Sequence, residues 1–410
     1  MAETAGSKGK LVWCVPPVIS GVTTVYRTAG EGLRRLGWDV VGVGAGADAK
    51  HDFDPRVVDE FYQVLSPGST DMRQTAAEFV HWVEEQKVDV IFNWEQKFCI
   101  AAAPALPGHV KILNRSNSIT RRSYQLVTAH LNRTSIIVAE TPRQYNDLTR
   151  YWGVPTDKCV LVPGGVNVET YTPGNIRDFQ GMLQLVFLGR LTEEQKAVMR
   201  LPRIVSLLVK AGVEFHLDVI GEGPDGERLR KAFDKAKLWG YVTMHGFLPL
   251  PEVIGILQRS HIFLFPTRYE AHSFSLLETM ACGCVPVISR IAGGTDAVVD
   301  QGVNGYVCTM GDIAAYAESV ARLAADRKRL ETFSAAARQT ILDHHTIEHD
   351  VQDYVNLFGQ VMSLPPVEYT PIPVATIQAP GIESGGWRRF VPRPVKSFVR
   401  DWAERFHRSI

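Results

Sequence analysis

Little in this chain supports metal or redox chemistry. Its six cysteines (Cys14, Cys99, Cys159, Cys282, Cys284 and Cys308) form no CxxC pair and fall at no zinc-like Cys/His spacing. Cys282 and Cys284 lie two apart, which suits neither a thioredoxin motif nor a zinc knuckle. Free buried thiols in a reducing compartment are therefore the expectation. Neither sign of charge predominates: 44 Lys and Arg balance 44 Asp and Glu. That removes any whole-protein attraction to nucleic acid. Long apolar runs are missing too. The stretch Leu11 to Ile19 is short and interrupted by Pro16 and Pro17, so it reads as neither a signal peptide nor a membrane span. A cytoplasmic body is expected.

What is present is the composition of a soluble globular protein, 45% apolar and 21% charged, over 410 residues. That length suits two domains. Short β-branched runs alternate with amphipathic helical stretches, the pattern of a parallel α/β architecture. The first half offers strands at 11–15, 40–43, 88–94, 110–113, 135–139 and 160–162; the second offers 185–188, 215–220, 242–245, 262–265, 285–288 and 306–308. Met72, Ala76, Phe79, Val80 and Val83 recur on one helical face. The pattern restarts after Thr172-Pro173-Gly174, so a boundary is expected near 173–182, giving domains 1–172 and 173–344. Prolines at 365, 366, 371, 373 and 380 make 363–385 read as a linker. A basic amphipathic tail, 386–410, follows.

Two glycine clusters invite a dinucleotide reading. Gly42-Val43-Gly44-Ala45-Gly46-Ala47 fits GxGxxA, but no helix pattern follows, so no helix N-terminus would meet a phosphate. Gly221-Glu222-Gly223-Pro224-Asp225-Gly226 does lie between a strand and a helix. The next strand, Val242 to Gly246, ends without the acid that a nicotinamide cofactor's ribose requires, so hydride chemistry is not favoured. These glycines instead suit close backbone approach to a diphosphate or base.

The segment from Glu270 to Gly283 carries more. Two glutamates, Glu270 and Glu278, flank a strand-to-helix turn after the apolar run 262–265. The helix that follows presents free N–H groups to an anion or a ribose. Glu278, a turn inside, can accept from two ribose hydroxyls, while Glu270 on the loop can face a sugar ring. The plain alternative is one loop glutamate and one helix-surface glutamate.

This stretch resembles the E-x7-E motif of retaining glycosyltransferases of the GT-B fold, in particular glycosyltransferase family 4. Phe187-Leu188-Gly189-Arg190-Leu191 followed by Lys196, then Ile220-Gly221-Glu222-Gly223-Pro224, His245-Gly246-Phe247, Ala292-Gly293-Gly294 and Asn304-Gly305 are similar to that family's donor domain. Ala139-Glu140-Thr141 and Val162-Pro163-Gly164-Gly165-Val166-Asn167 are similar to the end of its acceptor domain. The resemblance covers about 135–345 well and the first 130 residues loosely.

The resemblance implies two Rossmann-like domains facing across a cleft, with a late helix, 345–362, crossing back to the first. It implies a nucleoside diphosphate sugar as donor, held chiefly by the second domain. Arg190, Lys196 and Glu270 would be catalytic, the two cations neutralising the leaving diphosphate. Gly21, Gly189, Gly221, Gly223, His272, Ser273, Phe274, Ser275, Leu276 and Glu278 would bind the donor, with His272 where the family often has glycine. The histidine usual on an acceptor-domain strand is missing, and Asn114 and Arg115 are the acceptor-side candidates in its place. The acceptor would be a glycan, a lipid-linked sugar or a small molecule.

No cofactor or metal is expected, because Arg190, Lys196 and a helix N-terminus already cover a diphosphate. Asp52-Phe53-Asp54, a DxD in spelling, reads as a solvated loop. The tail carries seven basic against two acidic residues, with Val395, Phe398, Val399, Trp402 and Phe406 at helical spacing. It suits an anionic membrane surface, or else docking on protein. Peripheral attachment at the inner face of a membrane would follow from the first. A sugar-nucleotide epimerase of the same architecture and a catalytically altered sugar-nucleotide-binding protein are the rival readings.

Overall fold

The computed structural model describes residues 8–18, 21–45, 58–174 and 177–379, with positions 395 and 399. Within these the chain forms two compact units. Unit 1 takes Met1–Gly164 and Ile347–Ser384; unit 2 takes Gly165–Thr346 and Gly385–Ile410. Asp52, Asp54, Gly46, Ala47 and all of the tail except Val395 and Val399 lie outside the described residues.

Unit 1 is built on a parallel sheet of β1 (Lys10–Cys14), β2 (Asp39–Ala45), β3 (Tyr62–Leu65), β4 (Val90–Asn93), β5 (Lys111–Arg115), β6 (Ile136–Ala139) and β7 (Cys159–Leu161). Their order is β3-β2-β1-β4-β5-β6-β7. Unit 2 has β8 (Leu183–Leu188), β9 (Phe215–Ile220), β10 (Val242–Gly246), β11 (Ile262–Phe265), β12 (Val285–Ser289) and β13 (Tyr306–Cys308), in the order β10-β9-β8-β11-β12-β13. Helices cover both faces of such sheets, which is why β4, β6, β11 and β12 are buried at every residue. Each sheet reverses its direction of growth once, between β1 and β4 and between β8 and β11. In open parallel sheets, ligands bind outside the carboxyl ends of the strands at that reversal.

β3 escapes the sequence reading because Gln63 and Val64 are not buried and the run is only four residues long. Its Tyr62 explains the first glycine cluster. Gly42 and Gly44 sit inside β2, and a Cβ on Gly42 would come within 2.6 Å of the Tyr26 and Tyr62 rings. The glycines make room for aromatic packing, and Tyr62 donates its hydroxyl to the Val15 carbonyl at 2.6 Å.

The expected boundary at 172/173 moves to Gly164/Gly165, and the late helix begins at Ile347 instead of 345. Both shifts have one cause. Val166 bridges to Thr346, and the Val166 amide donates to the His345 carbonyl at 2.8 Å. The helix Ile347–Ser363 belongs to unit 1, where Tyr354 and Phe358 join Trp13, Phe92 and Trp94 in one buried aromatic cluster.

The linker expectation for 363–385 is corrected for its described part. Ile377 is buried in the unit 1 core. The amides of Val367 and Ile372 donate to the carbonyls of Gly108 and Pro104, each at 3.0 Å, and Lys111 donates to the Pro365 carbonyl. Proline lacks an N–H but leaves its carbonyl and its neighbours' amides free to dock, so a Pro-rich segment can pack as a strap.

All six cysteines are free and buried. Burial pushes the Cys284 thiol up to about 11 and those of Cys159 and Cys308 up to about 12, which makes these three poor nucleophiles near neutral pH.

Candidate active site

The loops that leave β8 and β11 carry the E-x7-E segment and the cations expected to meet a diphosphate. Lys196 closes the short helix Glu193–Lys196 after β8, and Glu270 lies in the loop after β11. The Lys196 Nζ donates to Glu270 Oε1 at 2.8 Å, and the same oxygen accepts from Thr267 Oγ1 at 2.7 Å. Oε2 of Glu270 makes no hydrogen bond among the described residues. The ammonium also lies 4.6 Å from the centre of the Phe265 ring, a further attraction for a partly desolvated cation.

Two more ties lock these loops together. The Gln195 carbonyl accepts from the Arg268 amide at 2.7 Å and lies 3.0 Å from the Thr267 hydroxyl, whose one proton it shares with Glu270, and Arg268 donates from Nη2 to Glu193 Oε1 at 2.7 Å. Arg268 and Thr267 were missed in the sequence, where a lone Arg beside a Thr carries no signal. Their role arises only from a contact more than 70 residues away in the chain. Arg190 follows Gly189 and is exposed; its side chain has no hydrogen bond or ion pair among the described residues.

Gly221 and Gly223 stand on the other side of the same loop. A Cβ on Gly221 would fall 2.1 Å from the Gly189 carbonyl oxygen, and one on Gly223 would fall 2.4 Å from that of Leu191. Gly221 adopts a φ of +130°, open chiefly to glycine. The space beside both glycines is thus taken by main chain of residues 189–191. The Leu191 amide donates to the Glu222 carbonyl at 2.8 Å, which completes the seam.

Helix Phe274–Ala281 starts at the end of the β11 loop, and its cap residue Ser273 makes no side-chain hydrogen bond to the helix amides. Ser273 instead meets Ser275 hydroxyl to hydroxyl at 3.2 Å. A narrow opening lies there, lined among others by His272, Ser273, Leu276, Gly294 and Thr295. The His272 ring packs edge-on against Phe274, with 5.5 Å between ring centres, and lies 5.9 Å from His345. Glu278, one turn in and half-buried, accepts from the Tyr171 hydroxyl at 2.9 Å. Burial raises the proton affinity of its carboxyl, and the Tyr171 bond opposes that rise.

The unit 1 candidates look different. Gly21 opens helix Gly21–Arg35 after β1. Asn114 is buried between strands, where it accepts from Asn93 Nδ2 at 2.9 Å and donates to Thr134 Oγ1 at 3.0 Å. Arg115 is fully buried, paired with Glu140, bonded to Tyr354 and stacked 3.9 Å from the Trp94 ring. Both side chains are consumed by the interior, because β5 is central in its sheet and buried at every residue. The acceptor-side reading of Asn114 and Arg115 is corrected accordingly.

Residues 177–340 match the family described as Glycosyl transferases group 1, and residues 19–170 match Glycosyltransferase Family 4. A curated relative, the putative colanic acid biosynthesis glycosyltransferase WcaL of Salmonella typhimurium, is 28% identical over 46% of this chain and 48% of its own length. The chain spans about half the length of the curated relatives it first matches. Alpha-monoglucosyldiacylglycerol synthase of Acholeplasma laidlawii is 25% identical over 70% of this chain and 81% of its own. Among solved structures, HepE of Anabaena in complex with UDP-glucose covers 86% of this chain and 100% of its own, with a TM-score of 0.71 at 15% identity. Each of the two parallel-sheet units thus coincides largely with one of the two family matches. The chain belongs to the glycosyltransferases of the GT-B fold, of the family 4 type.

Proposed function

We propose that this protein transfers a hexose-type sugar from a nucleoside diphosphate sugar, with retention of anomeric configuration, to a glycan, lipid-linked or small-molecule acceptor. The observation that carries the proposal is the Lys196–Glu270 pair at the carboxyl ends of β8 and β11. A fixed cation and a carboxylate with one unused oxygen meet there, at the reversal point of a parallel sheet. The UDP-glucose bound by the Anabaena neighbour supports the donor class.

In this scheme Lys196 and the exposed Arg190 neutralise charge that grows on the departing diphosphate, which is where electrostatic catalysis is most effective. Glu270 holds Lys196 in place through Oε1 and offers Oε2 to sugar hydroxyls. The free amides of helix Phe274–Ala281 favour the same anion, and Glu278 takes the ribose. Charge neutralisation rests on these groups, with no metal in the scheme. No side chain here stands out as a covalent nucleophile, so retention proceeds by front-face displacement. The bond from anomeric carbon to phosphate oxygen breaks as the acceptor oxygen bonds from the same face, and the departing phosphate takes the acceptor's proton.

The glycolipid synthase relative makes a lipid acceptor worth testing. The basic tail, 386–410, would hold the protein reversibly at an anionic surface, each Lys or Arg contributing roughly 1 kcal/mol. Among the described residues no helix is long and apolar enough to cross a membrane. The test of transfer is proton NMR of UDP-, GDP- and ADP-glucose incubated with the protein and candidate acceptors. Acceptor-dependent release of nucleoside diphosphate with an α-linked product supports the reading. A β-linked product from an α-linked donor overturns retention, and an epimerised donor without release overturns transfer.

A further inference from the structure

Glu278 is already engaged without any ligand. The Tyr171 hydroxyl donates to Oε1 at 2.9 Å, while Oε2 makes no hydrogen bond among the described residues. Tyr171 comes from the short segment by which the chain enters unit 2, and one guanidinium ties that segment to the helix bearing Glu278. Arg338 donates from Nη1 to the carbonyls of Tyr171 and Ala281, each at 2.7 Å, and from Nη2 to that of Val168 at 3.1 Å. Ala281 is the last residue of helix Phe274–Ala281. The Tyr171 amide also donates to the Asn167 carbonyl at 2.9 Å, and its ring packs on the unit 2 core. Phenol and carboxylate are therefore held in register by bonds to main chain on both sides.

We infer that Tyr171 is a positioning residue of the donor site: its hydroxyl locks one oxygen of Glu278 so that the other is presented to the nucleotide's ribose. The inference rests on the donor-site reading above. A carboxylate offers about four lone-pair positions. A single fixed donor at one of them sets the plane of the group and orients the rest. Tyr171 also favours the ionised form of a carboxyl that burial alone would push toward protonation. The other titratable and charged groups nearby are Cys282, which caps the same helix, Arg338 from helix Arg327–His344, and Arg177, which hydrogen-bonds the Cys282 carbonyl. Among these, only the Tyr171 hydroxyl bonds the carboxylate itself. Phenylalanine at 171 would keep the ring packing and delete only that bond.

The experiment is calorimetry of UDP, GDP and ADP binding to the full chain between pH 5 and pH 8. The tightest of the three then serves for wild type, Tyr171→Phe, Glu278→Gln and the double variant. Tyr171→Phe should bind roughly three- to tenfold more weakly at neutral pH. The pH at which binding is lost on acidification should move upward, since the carboxylate protonates more readily without its donor. Glu278→Gln should bind weakly without that pH dependence, and adding Tyr171→Phe to it should cost little more. Wild-type affinity and pH profile in Tyr171→Phe, beside a weakened Glu278→Gln, overturn the inference and leave the donor site standing. Full additivity in the double variant, or weakened binding with an unshifted pH profile, also overturns it, because general loosening would give those results. Wild-type affinity in Glu278→Gln, or binding of none of the three nucleotides, overturns inference and donor site together.

Discussion

Replacing Gly221 by alanine separates two meanings of a glycine-rich loop. If the glycine exists so that a ligand can approach the backbone, the variant folds normally and loses only binding. The geometry points elsewhere: the new Cβ would stand 2.1 Å from the Gly189 carbonyl oxygen and 2.9 Å from its carbon. Both are backbone atoms, so no flexible side chain can swing aside. The residue must also hold a φ of +130°, which alanine rarely adopts. Backbone strain of that kind costs about 1–3 kcal/mol, and an overpacked contact adds a comparable amount. Against a typical domain stability of about 5–15 kcal/mol, that is a large fraction. For a unit of this size it corresponds to a fall in unfolding midpoint on the order of 10 °C. Urea and thermal unfolding followed by circular dichroism would register it. Gly255→Ala serves as the control, since a Cβ there meets nothing within 4 Å inside helix Leu250–Arg259, and it should stabilise by about 1 kcal/mol. An unfolding midpoint for Gly221→Ala equal to wild type, with nucleotide binding lost, would refute the backbone-seam account.

Other substitutions separate function from stability. Arg190→Ala should leave the fold intact, because the side chain is exposed, yet lower turnover roughly 100-fold; steady-state kinetics beside thermal unfolding checks both halves. Arg115→Leu leaves the buried Glu140 without its ion-pair partner and should destabilise unit 1 by about 3–5 kcal/mol in urea titrations. Glu278→Gln should raise stability at neutral pH while weakening nucleotide binding. The folded carboxyl holds its proton more tightly than the unfolded one, so stability falls as pH rises through that group's titration, and glutamine abolishes the fall. His261 gives the opposite sign. Burial pushes it down to about 4. Its Nδ1 accepts from the Gln184 amide at 2.9 Å, which needs a neutral ring. Unfolded histidine protonates near 6.5, so this contribution should be lost as pH falls from about 6.5 toward 4, and His261→Asn should flatten that part of a stability–pH curve.

The strands of both sheets were legible wherever β-branched runs were buried on both faces, as at Ile262–Phe265. Tyr62–Leu65 was not, because an edge strand with half its residues toward solvent loses that pattern. The Glu270 and Glu278 spacing was readable, since a loop and the helix after it are local. Their partners were not. Lys196 could be named from its motif, but its pairing with Glu270 across 74 residues is a product of strand order. Tyr171 sits in a stretch whose turn residues, Thr172, Pro173 and Gly174, advertise a boundary and conceal a side chain that reaches the site. Arg115 misled for the opposite reason. It stands where the family resemblance places a histidine, and only the tertiary fold shows Glu140 and Tyr354 burying it.

The central claim is that the carboxyl ends of β8 and β11 form a nucleotide-sugar site. Hydrogen–deuterium exchange of the full chain, with and without saturating UDP-, GDP- or ADP-glucose, tests it directly. At least one of these should slow amide exchange in peptides covering 189–196 and 266–281, with weaker effects in strands remote from those loops. Protection confined to other peptides, or no protection by any of the three sugars, would contradict the account.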